Sequence, residues 1–146
     1  MADRNTSVRA SQLRDADINI DDLHDDAKIG ALEYSIDGGG AEISTGISGR
    51  IEVPFDCEIQ RVTLLADQTG SIQVDIWKDS YTNYPPVDAD SITDSAVPSI
   101  ASSDKSQDAT LTGWTKTVSE GDILIFNVDS VTTIEKCLVS LKVKKT

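Results

Sequence analysis

A run of alternating apolar and polar residues between Gly49 and Lys78 constrains this chain more than any other feature of its sequence. In the first part of the run every second residue is apolar, and all but one of the residues between them are polar. A period of two places the apolar side chains on one face of a pleated strand. The pattern therefore predicts strands with one buried and one solvent-facing side. The buried set comprises Ile51, Val53, Phe55, Cys57 and Ile59.

The register of this alternation changes inside the run. After Ile59 the apolar positions shift by one residue, so that Val62 and Leu64 continue the buried set. Pro54 cannot donate a backbone hydrogen bond, and it therefore predicts a bend, a bulge or an edge position. We interpret the run as two or three antiparallel strands at the centre of a β-sandwich.

Turn residues predict where further strands begin and end. Glycine and small polar residues favour reverse turns, and they cluster at Asp37–Gly40, Asp67–Gly70, Ser119–Asp122 and Asp129–Ser130. The segment 133–144 then alternates most regularly, with one face formed by Cys137, Val139, Leu141 and Val143. These boundaries predict an all-β fold of about eight antiparallel strands, a jelly-roll-like or Greek-key β-sandwich.

The first residues of the chain lack this alternation. We predict that residues 1–31 are an N-terminal attachment arm, extended or with a short helix, and that residues 32–146 are the β-sandwich domain. The arm has too little apolar surface to fold alone, but its isolated apolar side chains can anchor it in a groove of a partner. These candidate attachment residues are Val8, Leu13, Ile18, Ile20, Leu23 and Ile29.

A segment rich in Ser, Asp and Pro between Asp79 and Ala109 predicts a long irregular insertion. Partial order is expected in it, because three apolar residues can attach it to the sheet. They are Ile92, Val97 and Ile100.

Three aromatic residues near the start of the insertion are candidates for ligand binding: Trp77, Tyr81 and Tyr84. Exposed Trp and Tyr are typical of binding interfaces and stack on sugars. Trp77 alternates in step with Gln73 and Asp75, so the pattern places its side chain on the polar face of the strand. A second interpretation stays open, in which Trp77 and Tyr84 hold the insertion against the sheet.

Charge and cysteine content limit the partners and the chemistry of the fold. The net charge is −12, which argues against binding to nucleic acid and to anionic membrane surfaces. No apolar run approaches the ~20 residues of a membrane span, and the opening residues do not form a secretory signal. Cys57 and Cys137 lie among apolar neighbours, and synthesis in a reducing cytoplasm favours two buried free thiols.

Catalytic and metal-binding patterns are weak. His24 is the one histidine and lies in the arm, so a Ser or Cys nucleophile has no base in the sheet. A calcium-loop spacing occurs in the arm, but Ile20 replaces the glycine that the turn of such a loop needs. The matching residues are Asp15, Asp17, Asn19, Asp21 and Asp26. We therefore expect no enzyme, no cofactor and no metal.

Residues from about Tyr34 to Lys145 resemble a domain found in virion proteins of tailed bacteriophages. The segments that carry the resemblance are IDGGG at Ile36–Gly40, the stretch Ile51–Pro86 and the stretch Leu111–Ser130. The resemblance implies a structural protein at the virion surface, made in the host cytoplasm. It implies as partners other virion proteins, further copies of the chain in a homotrimer, and a host surface glycan or protein.

Three functions are compatible with that resemblance. The chain is a tail-surface or short-fibre module that binds a host receptor or glycan, or it is a capsid decoration or head-fibre protein. The third and least favoured function is a carbohydrate-active enzyme, because the chain contains no catalytic motif.

Overall fold

The structure is a computed structural model that describes residues 18–146, and these residues form an all-β fold. The predicted fold class is therefore confirmed. Short 3-10 helices lie at Ile20–Asp22, Asp25–Lys28, Tyr81–Asn83 and Asp88–Asp90. The seven strands are β1 (Ile29–Asp37), β2 (Gly46–Glu52), β3 (Cys57–Ser80), β4 (Ser99–Asp108), β5 (Thr117–Val118), β6 (Asp122–Thr132) and β7 (Lys136–Lys145).

All strands pair antiparallel around β3, which has 24 residues. The order along the curled sheet is β1-β7-β3-β6-β2, and β4 and β5 pair with β3 off this path. β7 pairs with the first part of β3, from Cys57 to Ala66, and β6 pairs with the second part, from Ser71 to Ser80. β3 consequently belongs to two layers, one containing β1 and β7 and the other containing β6 and β2.

The predicted turn at Asp67–Gly70 is wrong, because these residues lie within β3. The polar tetrapeptide forms a bulge instead: Leu65 lies opposite Lys105 of β4, but Gly70 lies opposite Ser103. A side chain at Gly70 would collide with the neighbouring strand, since a Cβ there would lie 2.4 Å from the Thr132 carbonyl oxygen. The four residues thus carry β3 from one layer into the other: its pairing with β7 ends at Ala66, and its pairing with β6 begins at Ser71.

A second bulge explains the change of parity after Ile59. The pairing of β3 with β7 skips one residue between Ile59 and Arg61, and a bulge of this kind exchanges the two faces of a strand. Ile59, Val62 and Leu64 are all buried as a result. The break predicted at Pro54 is also present, because β2 ends before it and β3 begins after it.

Two other predicted boundaries are corrected by the structure. β6 continues through Asp129–Ser130 to Thr132, where a predicted turn is replaced by a register shift opposite β3. The predicted irregular insertion contains β4, which pairs with β3 along an outer edge of the sheet. β4 has a single buried residue, Ile100, so it lacks the apolar alternation by which strands are recognised in a sequence.

Tyr34 of β1 bridges the gap between β1 and β2, the two strands at the ends of the strand order. Its ring stacks on that of Phe126 at a centroid distance of 5.2 Å, and its hydroxyl donates to the Ser48 carbonyl at 2.8 Å. The phenol crosses β2 directly above Gly49, where a Cβ would lie 2.0 Å from the Tyr34 hydroxyl oxygen. Tyr34 therefore joins the layers where no backbone hydrogen bonds connect them.

The prediction of two buried free thiols is confirmed. Cys57 and Cys137 lie far apart, because Cys137 pairs with Ala66, nine residues along β3 from Cys57, or roughly 30 Å of strand. Burial raises the pKa of the Cys57 thiol, and it raises the pKa of Cys137 to about 11. Both sulfurs are therefore neutral core atoms at physiological pH.

We predict that Gly49→Ala lowers the free energy of unfolding by about 1–3 kcal/mol, because the new methyl group displaces the Tyr34 ring. In a Tyr34→Ala background the same substitution should cost less than half as much, since the colliding ring is absent. Urea unfolding of the four variants of this cycle measures the coupling. Equal costs in both backgrounds would contradict the proposed contact.

We predict that neither thiol reacts with Ellman's reagent at pH 8 in the folded protein, and that both react in denaturant. The Cys137 pKa is raised on folding, so its contribution to stability is present below the ordinary thiol value of 9.0 and is lost as pH rises towards 11. The fall in unfolding free energy between pH 8 and pH 10.5 should thus be smaller in Cys137→Ala. A fast native reaction at Cys137 would refute the burial argument.

Candidate functional site

The described part of the predicted arm ends in two short turns beside the sandwich. The Asn19 side chain accepts from the Asp21 amide at 2.8 Å, and the Asp22 carboxylate accepts from the Asn19 amide at 3.0 Å. The next turn is tied to β7 by an ion pair of 2.8 Å between Asp25 and Lys144. Polar side chains thus order this segment without an apolar core of its own.

The apolar residues of this segment face solvent. Ile18 is 49% exposed, and Leu23 and Ile29 are each 38% exposed. Ile20 is half-buried, and the predicted attachment residues Val8 and Leu13 lie outside the described residues. β1 begins at Ile29, so the last residues assigned to the arm belong to the sheet. The end of the arm therefore presents apolar side chains that the rest of residues 18–146 leaves partly exposed.

The insertion pairs with β3 along the edge opposite to β6. Ser91 forms a bridge with Trp77, and the Ile92 amide donates to the Ile76 carbonyl at 2.9 Å. Trp77 is only 9% exposed, and Ile125, which lies opposite it on β6, is fully buried. Ile92 and Ile100 of the insertion are buried in the main hydrophobic core, and Val97 is half-buried.

Asp75 organises this contact from beneath the insertion. Its carboxylate is 6% exposed and accepts hydrogen bonds from the Trp77 indole at 2.9 Å, the Ser91 hydroxyl at 2.8 Å and the Thr93 hydroxyl at 2.6 Å. The Ile76 amide is a fourth donor, at 2.7 Å. A buried carboxylate needs such donors to offset its lost hydration, so Asp75 fixes the insertion to β3.

The structure brings Tyr81 and Tyr84 together, and it places Trp77 elsewhere. Tyr81 is 80% exposed and Tyr84 is 42% exposed. The Arg50 guanidinium donates to the Tyr84 hydroxyl at 2.7 Å and lies 5.9 Å from the centre of its ring. These residues surround an open cavity of about 250 Å³, which we call the aromatic groove; its lining is Arg50, Ile51, Glu52, Tyr81, Tyr84 and Ile123.

Two lining residues of the aromatic groove, Arg50 and Glu52, were not identified from the sequence. They lie opposite Ile125 and Ile123 of β6, and alternation along β2 places both side chains on the outer face. Their parity alone indicated a solvent-facing position. Their proximity to Tyr81 depends on the path of the chain after β3, for which the sequence carries no signal.

A second cavity, of about 470 Å³, is acidic. Asp75, Asp88 and Asp94 line it together with residues of the insertion and of the loop after β4. Burial raises the pKa of the nearby Asp129 carboxyl, and the charges of Asp75 and Asp88 raise it further. No group of three or more His, Cys, Asp and Glu side chains in residues 18–146 is arranged to hold a metal ion.

Neither the helices of the described residues nor similarity to known proteins indicates a function. Within the described residues, no helix has the length and apolar character needed to cross a membrane. Comparison of the chain with protein-family models, curated proteins and solved structures finds no match.

We predict that Trp77→Ala lowers the free energy of unfolding by about 3–5 kcal/mol, as expected for a buried Trp. Tyr81→Ala is the matched control: its side chain is mostly in solvent, so its effect should stay within about 0.5 kcal/mol. Trp77→Phe should cost about 1–3 kcal/mol, because Asp75 loses a donor while the ring packing is largely kept. Urea unfolding measures all three, and equal effects at Trp77 and Tyr81 would contradict the burial of Trp77.

Proposed function

We propose that this chain is a structural protein of a bacteriophage virion, in which the N-terminal arm attaches the protein and the β-sandwich is displayed at the particle surface. The observation that carries the proposal is the contrast between the two parts of the chain. The sandwich buries its core between two layers, while Ile18, Leu23 and Ile29 leave apolar surface in water within twelve residues of one another. The resemblance to virion proteins of tailed bacteriophages supports the location.

The energetics of the arm favour a partner. Burying one Ile or Leu side chain stabilises a complex by about 1.5–3 kcal/mol, whereas ordering a backbone residue costs about 1–2 kcal/mol. Three anchors alone do not order a long arm, so backbone hydrogen bonds must contribute to attachment. β1, which continues the arm, lies at an end of the strand order, and no other strand of residues 18–146 pairs with its second edge; β-augmentation could use that edge.

Two assignments fit the displayed sandwich. The first is a tail-surface or short-fibre module that binds a host receptor or glycan. The second is a capsid decoration or head-fibre protein, which needs the same attached arm and displayed domain. Gold-labelled antibody against the sandwich, imaged on purified particles, distinguishes tail from head.

We predict that deletion of residues 2–24 from the chain encoded by the phage leaves the sandwich folded but removes the protein from purified particles. The deletion ends before Asp25, whose ion pair with Lys144 holds the last turn to the sandwich. The circular-dichroism signal of the sheet should be unchanged, and immunoblots of particles should lose the protein.

A matched pair of substitutions controls for general loss of apolar surface. Ile18→Ser should reduce incorporation, whereas Ile47→Ser, at a position of the same 49% exposure on β2, should not. Normal incorporation of the folded, truncated chain would refute attachment through the arm.

A further inference from the structure

We propose that the aromatic groove binds the arm of a second copy of this chain, with Leu23 against the apolar walls and the Asp21 carboxylate paired with the Arg50 guanidinium. This inference deepens the proposed function and rests on it only in treating the arm as an attachment device. It names a partner for residues 18–24. Within residues 18–146, Arg50 and Asp21 have no charged partner, Leu23 and the groove expose apolar surface, and all of them lie at one end of the sandwich.

The cation is Arg50. Its one hydrogen bond within residues 18–146 goes to the Tyr84 hydroxyl, and no carboxylate of those residues lies within 4.0 Å of its guanidinium. A guanidinium has five N–H donors and pairs best with a carboxylate through two of them. Arg50 therefore offers a specific carboxylate site in a chain of net charge −12.

The arm supplies the matching anion. Asp21 is exposed, and its carboxylate takes part in no hydrogen bond or ion pair among the described residues. Asp22, by contrast, is engaged in the cap of its own turn. Leu23 follows two residues after Asp21 and is 38% exposed. One short segment thus carries both a free carboxylate and an uncovered apolar side chain.

The groove offers the complementary surface for Leu23. Apart from the charged side chains of Arg50 and Glu52, its walls are Ile51, Ile123 and the rings of two tyrosines. Tyr81 leaves 80% of its surface in water, and covering such a ring with an aliphatic side chain removes apolar area from solvent.

The arm and the groove lie at the same end of the sandwich. A Cβ at Gly30, the second residue of β1, would lie 3.6 Å from the Phe55 ring, and Phe55 lies in the connection that follows Glu52 of the groove. In a closed cyclic oligomer each copy gives its arm and accepts another, so a short arm and the groove that accepts it lie at similar heights along the rotation axis. The common location satisfies this requirement.

A charge exchange tests the pairing. Sedimentation equilibrium of the full chain should give a mass that is a multiple of 15.7 kDa. Arg50→Glu alone and Asp21→Lys alone should each raise the Kd of self-association at least 10-fold. The double variant should return it to within about 3-fold of the wild-type value, because the pair is restored with reversed charges.

Matched variants test the apolar contact. Leu23→Ser and Tyr81→Ala should each weaken self-association at least 10-fold, whereas Ile47→Ser, at an exposed apolar position outside the groove, should leave the Kd unchanged. Circular-dichroism melts confirm that the compared variants are folded. These measurements use purified protein and test only self-association, whereas the particle experiment tests attachment. Either proposal can therefore be refuted while the other stands.

Three outcomes would overturn the inference. A wild-type chain that stays monomeric up to about 100 μM, far above the Kd of a stable oligomer, excludes it. A double charge variant as weak as the single variants excludes the Asp21–Arg50 pair. If Tyr81→Ala leaves the oligomer intact but abolishes adsorption of the phage to host cells, the groove binds a host ligand and not an arm.

Discussion

The architecture depends on one strand that belongs to two layers. β3 pairs with β7 along its first part and with β6 along its second, while β4 follows its other edge across the bend. The pairing with β7 ends at Ala66 and the pairing with β6 begins at Ser71, so one continuous strand joins the two layers across the bend. At the bend, β3 lies close to the end of β6. Gly70 permits this approach because it has no side chain to collide with the Thr132 carbonyl.

Two side chains add hydrogen bonds between segments that β3 does not join by itself. Tyr34 joins β1 to β2 through a stacked ring and a hydroxyl bond, where the backbone leaves a seam. Asp75 joins the insertion to β3 through four donors. Both contacts are directional, so they specify one arrangement of layers among the several that apolar packing alone would allow.

The functional features lie together at one end of this frame. The first strand leaves the arm there, and the same end carries Arg50, Glu52 and the tyrosines of the aromatic groove. The arm holds acidic and apolar side chains, whereas the groove holds Arg50, which has no carboxylate partner within residues 18–146, between apolar walls. The proposed attachment and the proposed association between copies therefore use one region of the sandwich.

The alternation in the sequence was sufficient to predict the fold class, the parity change after Ile59, the break at Pro54 and the buried face of β7, because each depends on local periodicity and burial. It did not predict that β3 is continuous, since turn-forming residues also form bulges within a strand. β4 was missed because a polar edge strand buries too few side chains to leave a pattern. The aromatic groove was predictable only in part: composition indicated Tyr81 and Tyr84, but Arg50 and Glu52 meet them only through the register of β2 and β6. Trp77 shows the same limit, because its position beneath the insertion follows from long-range contacts with Ser91 and Asp75, which no local pattern encodes.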